Sequence, residues 1–324
     1  MTNKLNMKIS GILKKAGQFL IEYNTLVIFL VMVLISSLFS DVFFSHTNIT
    51  NLLRQVSGIG IISMGMLLVI LTGGIDLSVG SVVALTSVLC GYFLQFMPLP
   101  VALACSVIAG IVVGSFSGYL VSVHRMAPFI ATLAAMTIAR GAGFIISKGS
   151  PIIIESSGSG LTSFGTGSIL GIPYPVFLMF AIFFLVFFIL KYTVFGRLII
   201  AIGSNEEAVR LSGIKLKRYK FAVYGITGGF AALAGIISTS RTGVGSPIIG
   251  VGLELDVIAA VVIGGASLSG GKGTALNTML GVLILGIIGN LMNLQNVPAY
   301  PQQVIKGLII IAAVLMQGYK SRTS

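Results

Sequence analysis

Long runs of apolar residues recur along this chain of 324 residues and constrain its fold more than any other feature. The hydrocarbon core of a bilayer is about 30 Å thick, and a helix needs about 20 apolar residues to cross it. Charged residues make up 9% of the chain, against about 25% in a typical soluble protein. The sequence therefore predicts an all-α, polytopic membrane protein with about ten spans. These spans are expected at residues 20–40, 56–72, 80–97, 99–122, 128–147, 172–192, 220–240, 255–269, 275–295 and 304–319.

Basic residues predict how the spans are oriented. Lys and Arg outnumber Asp and Glu by 20 to 8, and they collect in alternate connections, most densely in 193–219. The positive-inside rule places these connections, and with them both termini, in the cytoplasm. A secretory signal peptide fits less well, because the apolar run Leu20–Phe39 is long and no A-x-A-like cleavage site follows it. The expected organisation is a cytoplasmic tail at 1–19, one transmembrane domain at 20–319 and a cytoplasmic tail at 320–324.

An acidic residue lies among glycines and serines between the second and third predicted spans. The segment Gly73–Ser81 reads GGIDLSVGS. An ionisable group in a membrane is costly and is a functional hypothesis by default, and glycines allow a non-helical backbone there. A plain solvated turn is the alternative, and residue chemistry leaves both open. The candidate pathway residues in this segment are Gly73, Gly74, Asp76, Ser78 and Gly80.

Arg140 is the other costly residue, because it lies well inside the fifth predicted span. Its side chain must face protein or water, and Asp76 is a candidate partner. A purely structural charge pair is the alternative role.

No catalytic, metal or cofactor site is predicted. Cys90 and Cys105 lie inside apolar runs, and His46 and His124 are far apart, so no metal-ligand spacing is present. The sequence also shows no nucleophile–base pair. The net charge of +12 is explained by membrane topology, so no nucleic-acid partner is expected.

A second glycine-rich segment, 264–274, reads GGASLSGGKGT. A phosphate-binding loop of the form G-x4-G-K-S/T would need Gly at 266 and Ser or Thr at 273, where this chain has Ala266 and Gly273. Nucleotide binding by this chain is therefore not expected. The segment echoes GGIDLSVG at 73–80, for which chance is as good an explanation as an internal repeat.

The charged loop 193–219 contains a predicted short helix. Ser204 and Glu207 fit a capping box, and Gly213 fits a helix stop. Such a helix either lies on lipid headgroups or docks a cytoplasmic partner. The residues expected to contact that partner are Glu206, Glu207, Ala208, Leu211 and Gly213.

Four segments together are similar to the permease subunits of ribose-type sugar importers of the ATP-binding-cassette (ABC) class. EAVRLSG at 207–213 resembles the ATPase-coupling motif of that class, usually written EAA-x3-G, with Val209 replacing its second alanine. The distal Leu-Pro of other subfamilies is missing. The four segments are GGIDLSVGS at 73–81, PFIATLAAMTIARG at 128–141, NEEAVRLSGI at 205–214 and ELDVIAAVVIGGASLSGGKGT at 254–274.

The resemblance implies a multi-pass protein of the bacterial inner membrane that works with several partners. These are a cytoplasmic ABC ATPase, an extracytoplasmic sugar-binding protein, and a second permease copy in a homodimer or a heterodimer with a paralogue. Hydrolysis of ATP is expected in the ATPase partner. Together with the residue chemistry, the resemblance marks further candidates for the translocation pathway, namely Arg140, Glu254, Asp256 and Asn277.

Two other transporter classes remain as alternatives. Branched-chain amino acid permeases of the ABC class share the architecture, although GGIDLSVGS favours the sugar branch. An ion-coupled secondary transporter would use acids near the membrane midplane and often inverted repeats, whereas the acids here lie at span ends. The sequence does not name the sugar, and ribose is one of several candidate monosaccharides.

Overall fold

A computed structural model describes residues 24–154 and 158–322. The expected tail at 1–19, the first residues of the first predicted span and residues 323–324 lie outside these ranges. The described chain is mostly helical, in agreement with the predicted class. Its helices are α1 (Asn24–Phe39), α2 (His46–Leu71), α3 (Val79–Phe93), α4 (Leu99–Ser122), α5 (Pro128–Ser147), α6 (Ser159–Thr166), α7 (Tyr174–Tyr192), α8 (Val194–Ser204), α9 (Glu206–Leu211), α10 (Leu216–Thr242), α11 (Leu253–Ile263), α12 (Ala275–Leu294) and α13 (Ala299–Arg322).

Within the described ranges, four strands of two residues each form two small antiparallel pairs. In the first pair, β1 (Ile152–Ile153) lies beside β4 (Val244–Gly245), with Ile152 opposite Gly245. In the second pair, β2 (Ser168–Ile169) lies beside β3 (Ile172–Pro173). The first pair joins the segment after α5 to the segment after α10, so these two helices end at the same end of the molecule.

Proline and glycine set several helix ends. Pro98 and Pro173 directly precede α4 and α7, and Pro128 is the first residue of α5. Proline lacks a backbone N–H and has a fixed φ, so it is tolerated at a helix start and disfavoured in a helix interior. At the C-terminal end of α10, Gly243 adopts φ +70°, a left-handed conformation that glycine reaches without steric cost.

Helices α2 and α10 form the buried centre of the bundle. Glycines of α4 allow it to pack closely on α10: a Cβ at Gly110 would lie 2.6 Å from the Cβ of Ala232, and one at Gly118 would lie 2.9 Å from the Phe221 carbonyl. Small residues permit such close helix contact in a membrane. Helices α4, α5 and α7 leave most of their apolar surface exposed, as expected where helices face lipid.

Six described helices are long and apolar enough to cross a membrane, namely α2, α4, α5, α7, α10 and α12. Helices α3 and α11 have 15 and 11 residues. At 1.5 Å per residue they extend only about 22 Å and about 16 Å, less than the bilayer core. The structure thus supports a multi-pass membrane protein but does not support the predicted count of about ten spans.

Basic residues lie together at one end of the bundle, which we call the basic end. Here the turn between α4 and α5, with Arg125, faces the segment from α9 to α10, which carries Arg210, Lys215 and Lys217. At the opposite end, the Arg241 guanidinium donates to the Arg54 carbonyl over 3.2 Å.

Candidate functional site

The glycine-rich segment after α2 is a buried break between two helices. The N–H groups of Gly73 and Gly74 donate to the carbonyls of Ile70 and Val69 over 2.9 and 3.2 Å and close the end of α2. Gly73 adopts φ +77°, and residues 74–76 have no regular structure before α3 begins at Val79. The predicted non-helical backbone is therefore present, and most of it is shielded from solvent.

Asp76 is 1% exposed, so it does not lie in a solvated turn. Its Oδ1 accepts hydrogen bonds from the Ser78 N–H at 2.9 Å and from the Ser78 hydroxyl at 2.6 Å. The carboxylate lies beside the first turn of α3, where the helix dipole favours negative charge. Its Oδ2 is also buried and receives no hydrogen bond from the described residues.

Tyr224 of α10 adds a second buried polar group beside the break. Its hydroxyl is buried without a hydrogen-bond partner in the described part of the chain. A Cβ at Gly74 would overlap this hydroxyl, and Asp76 interacts with Tyr224 electrostatically. Asp76 and Tyr224 therefore form a small polar cluster in an otherwise apolar core.

Arg140 does not pair with Asp76, so that prediction was wrong. Its Nη1 donates to the carbonyls of Pro247 and Ile249 over 2.9 and 2.7 Å, and the guanidinium also interacts electrostatically with Glu254. The carbonyls belong to a non-helical segment before α11 and are free to accept from a side chain. Sequence reasoning considered only side-chain partners and so missed them.

Glu254 and Gly80, both predicted site residues, come together in the structure. A Cβ at Gly80 would overlap the Oε2 of Glu254 and the carbonyl of Gly250. Glu254 lies in the first turn of α11, and its Oε2 is buried without a hydrogen-bond partner among the described residues. Each of the two short helices, α3 and α11, therefore begins beside a carboxylate with one unsatisfied oxygen.

Asp256 and Asn277 have other partners. The Asp256 carboxylate forms a 2.8 Å ion pair with Lys306, which joins α11 to α13. Sequence reasoning missed Lys306, although a lone lysine in a predicted span signals an acidic partner. Asn277 lies in the first turn of α12, where its N–H donates to the Thr274 hydroxyl over 3.2 Å.

The predicted loop helix exists as α9, with a different cap. Asn205 precedes it and accepts from the Ala208 N–H at 2.9 Å. Ser204 instead ends α8, where its hydroxyl donates to the Ile200 carbonyl, so the predicted Ser204 cap was wrong. Gly213 follows the helix at φ +78°, in agreement with the predicted stop.

One ion pair ties α9 to α10, a second lies within α9, and the predicted contact face stays open. Glu206 pairs with Lys220 of α10 at 2.6 Å, and Glu207 pairs with Arg210. The hydrogen bond to Glu207 raises the pKa of Arg210 above its usual value, so Arg210 stays charged. Val209 is buried, whereas Ala208 is exposed and Leu211 is 77% exposed. Both acids are thus paired but still more than half exposed, and the exposed apolar side chains beside them, which we call the open face, are Ala208 and Leu211.

The two glycine-rich segments and the end of α8 meet in what we call the glycine junction, formed by Leu71–Gly73, Gly203–Ser204 and Gly270–Gly271. The Gly271 N–H donates to the Leu71 carbonyl over 3.0 Å. A Cβ at Gly203 would lie 2.5 Å from the Gly271 nitrogen, and one at Gly270 would lie 2.9 Å from the Gly73 nitrogen. Segment 264–274 therefore allows backbones to approach closely, and its similarity to 73–80 did not predict this contact.

Comparison with known proteins places the chain among transport permeases. The family model described as branched-chain amino acid transport system / permease component matches residues 48–314. The ribose import permease protein RbsC of Haemophilus influenzae is 42% identical over 306 residues, which is 94% of this chain and 95% of that protein. RbsC of Bacillus subtilis is 43% identical over 321 residues, 99% of this chain and 98% of that protein.

A permease named for another sugar is also similar. The L-arabinose ABC transporter permease protein AraH of Azospirillum brasilense is 38% identical over 294 residues, which is 90% of this chain and 86% of that protein. No solved structure matches the chain. Because the family model covers most of the chain and these relatives align along nearly all of it, the chain belongs to the family of transport-system permease components.

Proposed function

We propose that this chain is the membrane-spanning permease subunit of an ATP-driven ABC importer of ribose or a related monosaccharide. An extracytoplasmic binding protein delivers the sugar, and a separate cytoplasmic subunit hydrolyses ATP. The observation that carries this proposal is the identity of 42% and 43% to two ribose import permeases over nearly the whole chain.

Helix α9 is the proposed contact with the ATPase. Val209 anchors it, and the ion pair between Glu206 and Lys220 ties it to α10. The open face of Ala208 and Leu211 is then free to enter a groove on the partner. Six residues do not form a stable helix alone in water, so these tertiary contacts keep the docking face rigid.

The glycine junction is the proposed route from α9 to the membrane interior. Ser204, at the end of α8, directly precedes the Asn205 cap of α9, and Gly203 packs against Leu71 and Gly271. These contacts are between backbones, with no flexible side chain in between to absorb a displacement. A movement of α9 on closure of the ATPase therefore shifts the break that carries Asp76.

The unsatisfied carboxylate oxygens are the proposed polar groups of the pathway. Asp76 Oδ2 and Glu254 Oε2 accept no hydrogen bond from the described residues, and sugar hydroxyls are donors. Separation of Gly80 from Gly250 would open the Glu254 oxygen to a passing sugar. Arg140 holds the segment that carries Gly250, Asp256 supports α11 through Lys306, and Asn277 stays a candidate contact.

The proposed topology has about ten membrane segments, with the basic end and both termini in the cytoplasm. Helices α3 and α11 would cross together with their glycine-rich breaks, since non-helical backbone is tolerated in a membrane where protein surrounds it. A second copy of the chain, or a paralogue, completes the permease.

Reconstituted transport tests this function. The permease, its ATPase and its binding protein are placed in vesicles, and uptake of labelled ribose, arabinose and leucine is measured with ATP or with an ion gradient. We expect uptake of a sugar that requires both ATP and the binding protein. Uptake of leucine alone, or sugar uptake driven by an ion gradient without ATP, would contradict the proposal.

A further inference from the structure

A groove of about 990 Å³ opens at the basic end, between the α4–α5 turn and the segment from α9 to α10. Six cationic side chains and two carboxylates line it. The carboxylates are already paired, Glu206 with Lys220 and Glu207 with Arg210. Four cations in the groove have no acidic group within 4 Å among the described residues, so the groove is strongly positive. These are Arg125, Lys215, Lys217 and Arg218.

The groove lies where membrane helices end. Helix α4 ends at Ser122, α5 begins at Pro128, and α10 begins at Leu216, and all three are long enough to span a bilayer. The groove therefore lies at the depth of the lipid headgroups. Apolar side chains, among them Met126, share its lining with the cations.

Exposed apolar side chains continue from the groove along the neighbouring helices. Phe129 and Ile130 in the first turn of α5 are 57% and 56% exposed, and Tyr119 in the last turn of α4 is 46% exposed. Phosphate oxygens suit the cations, and acyl chains suit these apolar side chains. A soluble anion would contact only the cations and would leave the exposed apolar side chains uncovered.

We propose that this groove binds the headgroup of an anionic phospholipid, with the acyl chains alongside α4 and α5. Basic pockets between membrane helices recognise anionic headgroups through their summed positive charge. Ala208 and Leu211 do not line the groove, so the lipid site and the open face of α9 are separate surfaces. A bound lipid would bridge the start of α5 to the segment that follows α9.

Lipid binding to the purified permease, without ATPase or binding protein, tests this inference independently of transport. Native mass spectrometry compares retention of phosphatidylglycerol with that of phosphatidylcholine carrying the same acyl chains. We expect phosphatidylglycerol to bind at least about tenfold more tightly. The triple variant Arg125→Gln/Lys217→Gln/Arg218→Gln should lose about a hundredfold in that binding, since each basic group near the surface contributes about a factor of five.

A matched control removes three exposed charges outside the groove, in the variant Lys148→Gln/Lys191→Gln/Arg197→Gln, which should bind phosphatidylglycerol like the natural chain. The double variant Arg125→Lys/Arg218→Lys keeps the charge and should also bind, which separates loss of charge from misfolding. Equal binding of both lipids, full binding by the triple variant, or equally tight binding of soluble glycerol phosphate would overturn the inference. So would loss of ATPase co-purification in the triple variant with lipid binding unchanged, because the groove would then belong to the partner surface.

Discussion

Buried polar residues in this chain differ in how completely they are paired. Asn48 and Asn290 exchange two amide hydrogen bonds, at 3.1 and 2.7 Å, and join α2 to α12. Asp76 and Glu254 instead keep a buried oxygen without a donor in the described ranges. A half-satisfied carboxylate is expensive inside a membrane. Such a carboxylate lies beside the first turn of each short helix, and this is the observation behind the pathway role proposed for Asp76 and Glu254.

The substitution Asp76→Asn separates the charge of this residue from its hydrogen bonds. Asparagine keeps an Oδ1 that can accept from both groups of Ser78, so we expect a folded protein. Neutral hydrogen bonds are weaker than charge-assisted ones, and the loss of unfolding free energy should be about 1 kcal/mol. Uptake should fall about tenfold or more, which corresponds to about 1.4 kcal/mol of lost interaction.

Ser78→Ala is the matched control, because it removes the 2.6 Å hydroxyl bond and keeps the charge. It should lower the denaturation midpoint without lowering uptake per folded molecule. Normal uptake by Asp76→Asn in vesicles would show that Asp76 only shapes the turn.

Gly80→Ala tests the close approach of α3 to the segment before α11. The added Cβ would overlap Gly250 and Glu254, so the free energy of unfolding should fall by about 1–3 kcal/mol. Gly141→Ala in α5 is the control, because no atom lies within 4 Å of the new Cβ, and it should be neutral or gain up to about 1 kcal/mol. Denaturation in detergent measures the stability of both variants. Equal denaturation midpoints for Gly80→Ala and Gly141→Ala would contradict the close contact at Gly80.

Residue chemistry singled out Asp76 and Arg140 as costly residues but did not predict their partners. Asp76 and Arg140 stand out in the sequence because charge is rare in spans. The partners of Arg140 are the carbonyls of Pro247 and Ile249. Every residue has a carbonyl, so nothing in the sequence distinguishes these two until the backbone path is known.

The short helix α9 shows what can be predicted at the scale of one element. Its position and its end at Gly213 follow from local sequence, because glycine favours the left-handed turn after a helix. Its start shifted by one residue, since both Ser204 and Asn205 can cap a helix and α8 extends through Ser204. The meeting of α8 with segments 71–73 and 270–271 depends on residues distant in sequence and was not predicted.

Ala208→Glu tests the open face of α9. A carboxylate at this exposed position does not disturb Val209, so the permease should fold and reach the membrane. We expect the ATPase to be lost on co-purification, and ATP hydrolysis to stop responding to loaded binding protein. Ser150→Glu adds the same charge at the opposite end and should change neither measurement. If the Ala208→Glu variant still co-purified with the ATPase and its ATP hydrolysis still responded to loaded binding protein, α9 would be a segment that lies on the lipid surface and not the ATPase contact.

Gly203→Ala tests the glycine junction while leaving α9 unchanged. The new Cβ would lie 2.5 Å from the Gly271 nitrogen and would overlap the Leu71 carbonyl, so α8 must move away from the break. We expect the ATPase to co-purify normally and uptake to fall about tenfold, the equivalent of about 1.4 kcal/mol. Gly289→Ala in α12, with no atom within 4 Å, is the control. Full uptake by Gly203→Ala would exclude the junction as the coupling route.

At the scale of the whole molecule, apolar composition predicted the class of protein but not the number of crossings. Each predicted span overlaps a helix, yet α11 contains only 11 residues and α3 only 15. Hydropathy averages composition along the chain, so it does not show that a helix ends near Gly73 or Gly264. The glycine-rich breaks therefore account for the short α3 and α11, which the apolar runs alone do not reveal.

Cysteine labelling from the two sides of the membrane tests the proposed orientation. With Cys90 and Cys105 replaced by serine, single cysteines are introduced as Ser150→Cys and Ser204→Cys, at exposed positions separated by one long apolar helix, α7. Each positive charge moved outward against a membrane potential of 100 mV costs about 2.3 kcal/mol, so the basic end should stay inside. An impermeant maleimide added to intact cells should label position 150 at once and position 204 only after the membrane is permeabilised. Labelling of 204 from outside would reverse the orientation, and labelling of both positions from one side would show that α7 does not cross.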